Sequence, residues 1–235
     1  MDIENYFNTL NLQSQQIFSE SMDKQNYLGL IHDFAISLND WTKALPKSEP
    51  NQLIKQSIEE LEISGLMLLG GFYRPAYANL RLSIEELLGS IFFSTDLLKF
   101  SEWKNGGQDM NWSSIIELEN GILSKRYANA FFPELKGVVN SFNELGRKIY
   151  RELSEFVHGN YSTWDVENPT LMINESLILK YEEILRKYIQ LAHFSLCVRH
   201  LKNDIKPENL ESLETHVMDA IGHVEEIRIF FGGQK

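Results

Sequence analysis

Between Arg74 and about Phe100 the apolar side chains Tyr77, Leu80, Ile84, Leu87, Leu88, Ile91 and Phe92 fall three and four residues apart. That interval matches the 3.6-residue turn of an α-helix and not a strand, whose side chains alternate with a period of two. No other stretch of the chain is as long and as apolar, so it predicts a central helix against which the rest must pack. Pro75 suits its first turn, where a missing N–H removes no hydrogen bond. The same period recurs over Asp23–Leu45, Asn51–Leu69, Lys136–Val157, Ser176–Asn203 and Leu210–Phe231, and in broken form over Asp2–Ser19. Ser113–Tyr127 reads as a further helix with Ser113 or Ser114 as its N-cap. Loops are expected at Leu45–Asn51, Lys104–Asn111, Pro133 and Ser162–Pro169. No segment alternates as a strand does, and no repeat is visible. The expectation is an all-α, single-domain antiparallel bundle of six to eight helices over 1–235 with long central helices. Residues 1–45 read as an N-terminal appendage and 207–235 as a C-terminal helix.

Charge narrows the function. The 235 residues carry a net charge of −11, which opposes any unspecific grip on nucleic acid, since phosphate binding needs clustered Lys and Arg. A single cysteine, Cys197, allows no intrachain disulfide and fits a reducing compartment. It lies among apolar residues, as a core thiol would. The N-terminus M-D-I-E-N-Y-F lacks the basic and apolar regions of a signal peptide, and no apolar run is long enough to span a bilayer. A cytoplasmic protein without membrane contact is expected.

Most catalytic signatures are missing. There is no Gly-x-Ser-x-Gly elbow, no His-Glu-x-x-His, no Cys-x-x-Cys, no phosphate loop and no dinucleotide fingerprint. The acidic run Glu59, Glu60, Glu62 has no His or Asp to complete a ligand set. No metal and no cofactor is therefore expected. Trp103 and Trp112 flank the Gly-rich Lys104–Asn111 loop, where aromatic rings either stack on bases or anchor the loop in the core.

One stretch does combine reactive groups, Ile149–Tyr161, reading I-Y-R-E-L-S-E-F-V-H-G-N-Y. Seven residues separate Arg151 from His158, roughly 20° short of two turns and about 10.5 Å along a helix axis, so both share one face. Gly159 and Asn160 suit a left-handed helix exit. An imidazole there is favoured in its charged form by the helix dipole. Leu153, Phe156 and Val157 are placed to hold the adjacent face in the core. Arg186 and His193 repeat the spacing, so spacing alone assigns nothing; His193, amid Leu191, Phe194 and Leu196, reads as packing or surface.

The segment Y-R-E-L-S-E-F-V-H-G, together with F-Y-R-P-A-Y-A-N-L-R-L-S-I-E-E-L-L at Phe72–Leu88, resembles the HEPN superfamily of all-α RNase and nucleotide-binding domains. The likeness is nearest to its uncharacterised bacterial branch and covers roughly 61–201. It implies a metal-independent endoribonuclease. His158 would be the general base on a ribose 2′-hydroxyl, giving a 2′,3′-cyclic phosphate, and Arg151 would stabilise the pentacoordinate phosphoryl state. The resemblance further implies a homodimer with a composite site along the motif helix, RNA as substrate with DNA resistant, a role as toxin or phage-defence effector, and an antitoxin or defence-system partner. Supporting positions would be Glu152, Asn160 and Tyr161. Arg81 and Glu85, an i, i+4 pair on the central helix, would either tie that helix to a neighbour or orient the imidazole. The nuclease motif carries Asn, Asp or His after its Arg, whereas this chain has Glu152. The alternative is a non-catalytic HEPN-like module that binds a partner protein or a nucleotide.

Overall fold

The computed structural model describes residues 2–22, 26–163 and 171–234. In chain order the helices are α1 (Ile3–Met22), α2 (Asn26–Ala44), α3 (Gln52–Leu69), α4 (Tyr73–Phe93), α5 (Leu97–Lys104) and α6 (Trp112–Ile115). They continue with α7 (Lys125–Phe131), α8 (Val139–Val157), α9 (Glu175–Leu196), α10 (Pro207–Ile221) and α11 (Glu225–Phe230). No strand occurs among the described residues, so the fold class is all-α.

α3 and α4 form the central antiparallel pair. The turn between them passes through Gly71 at φ +80°, a conformation that costs a side-chain-bearing residue energy. Small residues let the two backbones close up. Ser64 Oγ donates to Ala76 O at 2.7 Å and Ser83 Oγ to Ser57 O at 2.8 Å. Because the Ser64 proton is used there, the Tyr181 hydroxyl of α9 donates to Ser64 at 2.7 Å. Tyr188 similarly joins Ser57 and Ser83 at 3.1 and 3.0 Å. Each of these five hydroxyls thus has a partner, which is the condition for placing it in a core. Around this pair Trp41 of α2, Tyr77 of α4, Phe132, and Phe194 of α9 are fully buried. α8 lies across α4 and α9, fastened by two parallel ring stacks: Phe156 on Tyr77 at 3.8 Å and Phe142 on Phe194 at 3.7 Å.

Eleven helices stand among the described residues in place of six to eight, because local breaks, two of them capped by a side chain, divide three of the expected ones. The Arg74–Phe100 segment stops at Phe93, and Asp96, accepting from Lys99 N at 3.0 Å, starts α5. Ser113–Tyr127 is one turn of α6 and the start of α7. Its caps are Asn111, accepting from Ser113 N at 2.9 Å, and Ser124, accepting from Tyr127 N at 3.1 Å, not Ser113 or Ser114. The expected 207–235 helix breaks at Gly222 into α10 and α11. α8 starts at Val139, not Lys136, after a 3-10 turn at Pro133–Gly137. α9 gives way to a π turn at Cys197–Leu201. Of the 1–45 segment, α2 belongs to the core through Phe34, Leu38 and Trp41, while α1 rests on α3 through Ile17. No described helix is long and apolar enough to cross a membrane.

Candidate active site

The motif lies on the last turns of α8. Its inner face is Val139, Phe142, Asn143, Gly146, Ile149, Leu153 and Phe156, all buried. With that apolar row turned inward, helical geometry forces Glu144, Lys148, Arg151, Glu155 and His158 onto the opposite side. Arg151 and His158 are exposed there. Among the described residues their side chains carry no hydrogen bond and no ion pair.

The helix ends as a Schellman turn. Gly159 has φ +67°, His158 N bonds Ser154 O at 2.9 Å, and Asn160 N reaches back to Glu155 O at 3.1 Å. This arrangement satisfies the last carbonyls of α8 and fixes where the imidazole emerges. The exit is held from outside the helix. Thr163 Oγ1 donates to Asn160 O at 2.7 Å and accepts from Arg74 Nη2 of α4 at 2.9 Å. Arg74 thereby places a guanidinium beside Gly159, with its Nη atoms 3.9 Å from where a Cβ would stand. Nothing local in the sequence marks Arg74 for this role, because its partner lies 89 residues away.

Of the supporting positions, Asn160 and Tyr161 are exposed next to His158. Trp164 and the rest of the expected Ser162–Pro169 loop after Thr163 lie outside the described residues. Glu152 sits about 100° around the helix from Arg151, on the flank where its charge raises the pKa of Tyr77 behind burial and Tyr181. It is therefore off the Arg151 face, although Glu155 is on it.

Arg81 and Glu85 meet each other, Nε to Oε1 at 3.0 Å, but they reach Tyr150 rather than His158. Arg81 Nη2 donates to the Tyr150 hydroxyl and its guanidinium covers the Tyr150 ring at 4.4 Å. Trp112 stacks on the same ring at 4.0 Å and 6°, so guanidinium and indole take opposite faces. Burial, then Glu85, raises the Tyr150 pKa. The trio ties α4 to the motif helix one residue before Arg151. Both loop tryptophans are anchors: Trp103 packs on Phe93 at 5.4 Å. A cavity of about 540 Å³ opens between Tyr150 and the 108–114 loop.

The competing pair separates. Arg186 is exposed and bound to Glu182 at 2.7 Å, whereas His193 is buried. His193 floors a cavity of about 340 Å³ between α2, α9 and α10. Cys197 is buried, and burial pushes its thiol pKa up, as for an unreactive core thiol.

Comparison with protein-family models, curated proteins and solved structures finds no match. The site must be read from its own geometry. Among the described residues no cluster of three or more His, Cys, Asp or Glu side chains could hold a metal ion. What the α8 exit offers is an imidazole whose ring nitrogens have no hydrogen-bond partner among the described residues, a permanent cation on the same face, and a second guanidinium at the turn.

Proposed function

We propose that this chain is a metal-independent endoribonuclease of HEPN type. The observation that carries the reading is the shared exposure of Arg151 and His158 on one face of α8, both unengaged within the described residues. A base must be reachable and bare to take a proton, and imidazole suits proton transfer near neutral pH. In the proposed step His158 takes the proton of a ribose 2′-hydroxyl. That oxygen attacks the neighbouring phosphorus and the P–O5′ bond breaks; the leaving 5′ oxygen takes a proton from water, so the products are a 2′,3′-cyclic phosphate and a 5′-hydroxyl, and His158 gives its proton back to solvent. Arg151 faces the extra negative charge of the pentacoordinate state with a planar donor fork. Two copies would set two such faces against one strand, and an antitoxin or defence-system partner would restrain the effector. DNA lacks the attacking hydroxyl.

Glu144 and Glu155 share that face and would repel an RNA backbone, which favours the partner-protein form of the second reading, a non-catalytic module that binds a partner protein or a nucleotide. The experiment is incubation of a mixed RNA pool in EDTA with wild type, Arg151→Ala and His158→Ala. Cyclic-phosphate ends from wild type alone support the nuclease. RNA left whole by wild-type protein, including protein freed from any co-purifying partner, rejects it in favour of the module.

A further inference from the structure

The two halves of α1 differ in burial: its C-terminal half is seated on α3 and the N-terminal half is exposed. Ser14 Oγ donates to Gly70 O at 3.0 Å, and Ile17 and Ser21 are buried, so this side faces the α3–α4 turn. At 100° per residue, Ile3, Tyr6, Phe7 and Leu10 continue the same side. There the side is exposed: Ile3 is 75%, Tyr6 48% and Phe7 63% accessible, with no cover among the described residues. Beside the seated half of α1 lies a groove of about 410 Å³ whose lining includes Phe18, Leu66, Met67 and Phe72. Leu66 is 54% exposed. One chain thus carries both an uncovered apolar ridge and an uncovered apolar furrow.

Charge selects the occupant. Residues 5–19 contain no charged side chain, nor does the groove lining. An anionic membrane surface would be met by Lys and Arg on such a helix, and α1 has none. A strongly charged partner would be steered by complementary charge that arm and groove lack. A second copy of this chain is different. At −11 each, two copies repel over most of their surfaces and can approach closely only where neither presents charge. Arm and groove answer that condition on both sides, and a twofold axis uses each pairing twice.

We propose that α1 is a self-association arm, the Ile3–Leu10 face of each copy lying in the Phe18–Leu66–Phe72 groove of the other. This goes beyond the nuclease reading and does not rest on it, since the surface is not the α8 face.

The test is sedimentation of the full chain over the micromolar range, with Phe7→Glu and Leu66→Glu beside wild type. A wild-type dimer, weakened at least tenfold by each substitution with the melting temperature unchanged, is the expected result. A monomeric wild type overturns the proposal, as does a dimer indifferent to both substitutions. The exchange itself is read by mixing Phe7→Cys with Leu66→Cys under mild oxidation. A disulfide joining the two variants is expected, Cys197 being buried and silent; no such cross-link overturns the reciprocal geometry. RNA cleavage is scored separately, so loss of either idea leaves the other legible.

Discussion

The indole N–H of Trp41 donates to Nδ1 of His193 at 3.3 Å. An indole nitrogen can only donate, so Nδ1 is bare and the ring proton sits on Nε2, which faces Ser37 Oγ at 3.0 Å. His193 is therefore neutral and cannot deprotonate Ser37, so the contact is no Ser–His catalytic dyad. Burial, then the charge of His216, lowers its pKa to about 3 from 6.5. A base with a depressed folded-state pKa stabilises the fold above 6.5 and loses that stability as pH falls toward 3. The expected outcome is an unfolding free energy that declines below pH 6.5 by up to about 1.4 kcal/mol per pH unit from this group. His193→Gln should flatten that limb in a pH series of denaturant melts; an unchanged slope refutes the assignment.

Glu86 behaves in the opposite sense. It is 9% exposed, and its Oε2 has no hydrogen-bond partner among the described residues. Burial, then Glu60, Glu59 and Glu85, raises its pKa to about 8 from 4.5. The protonated form is favoured in the folded state, so stability is full below 4.5 and is lost as pH rises through about 8. Glu86→Gln should raise the melting temperature at pH 9 and leave it near the wild-type value at pH 4. A variant less stable than wild type at pH 9 would contradict this.

Arg81 binds Glu85 and Tyr150 from a largely buried position. Removing it strands a half-buried carboxylate and ends the cation–π contact, so Arg81→Ala should cost about 2–3 kcal/mol in urea unfolding. Were Arg81 to act on the imidazole instead, stability would hold and only RNA cleavage would change.

At Gly159 the added Cβ of an alanine meets nothing closer than 3.9 Å, so the penalty is backbone strain alone. Gly159→Ala should cost about 1 kcal/mol, while Gly159→Asn, which tolerates the left-handed region, should cost less. Equal melting temperatures for the two variants would show that φ does not govern this turn.

His158→Ala removes an exposed imidazole that makes no hydrogen bond or ion pair among the described residues. Its thermal transition should match wild type within about 0.5 kcal/mol, while RNA cleavage disappears. Loss of cooperativity would make the residue structural and end the catalytic assignment.

What the sequence determined by itself is whatever acts within a helical turn or two. The apolar period of Tyr77–Ile91 dictated α4, and the row Ile149, Leu153, Phe156 turned Arg151 and His158 outward, because side chains three and four apart must share a face. Gly159 announced a left-handed exit, which its φ of +67° realises. Splitting of the long helices was harder to see, since it depends on whether Asp96, Asn111 and Ser124 turn back to cap a backbone N–H. Tertiary structure alone decided the pairings across the chain. Arg81 finds Tyr150 over 69 residues, Arg74 finds Thr163 over 89, and Trp41 finds His193 over 152. Periodicity states which face a residue occupies and is silent on which face of another helix arrives opposite; only the packing of α4, α8 and α9 supplies that.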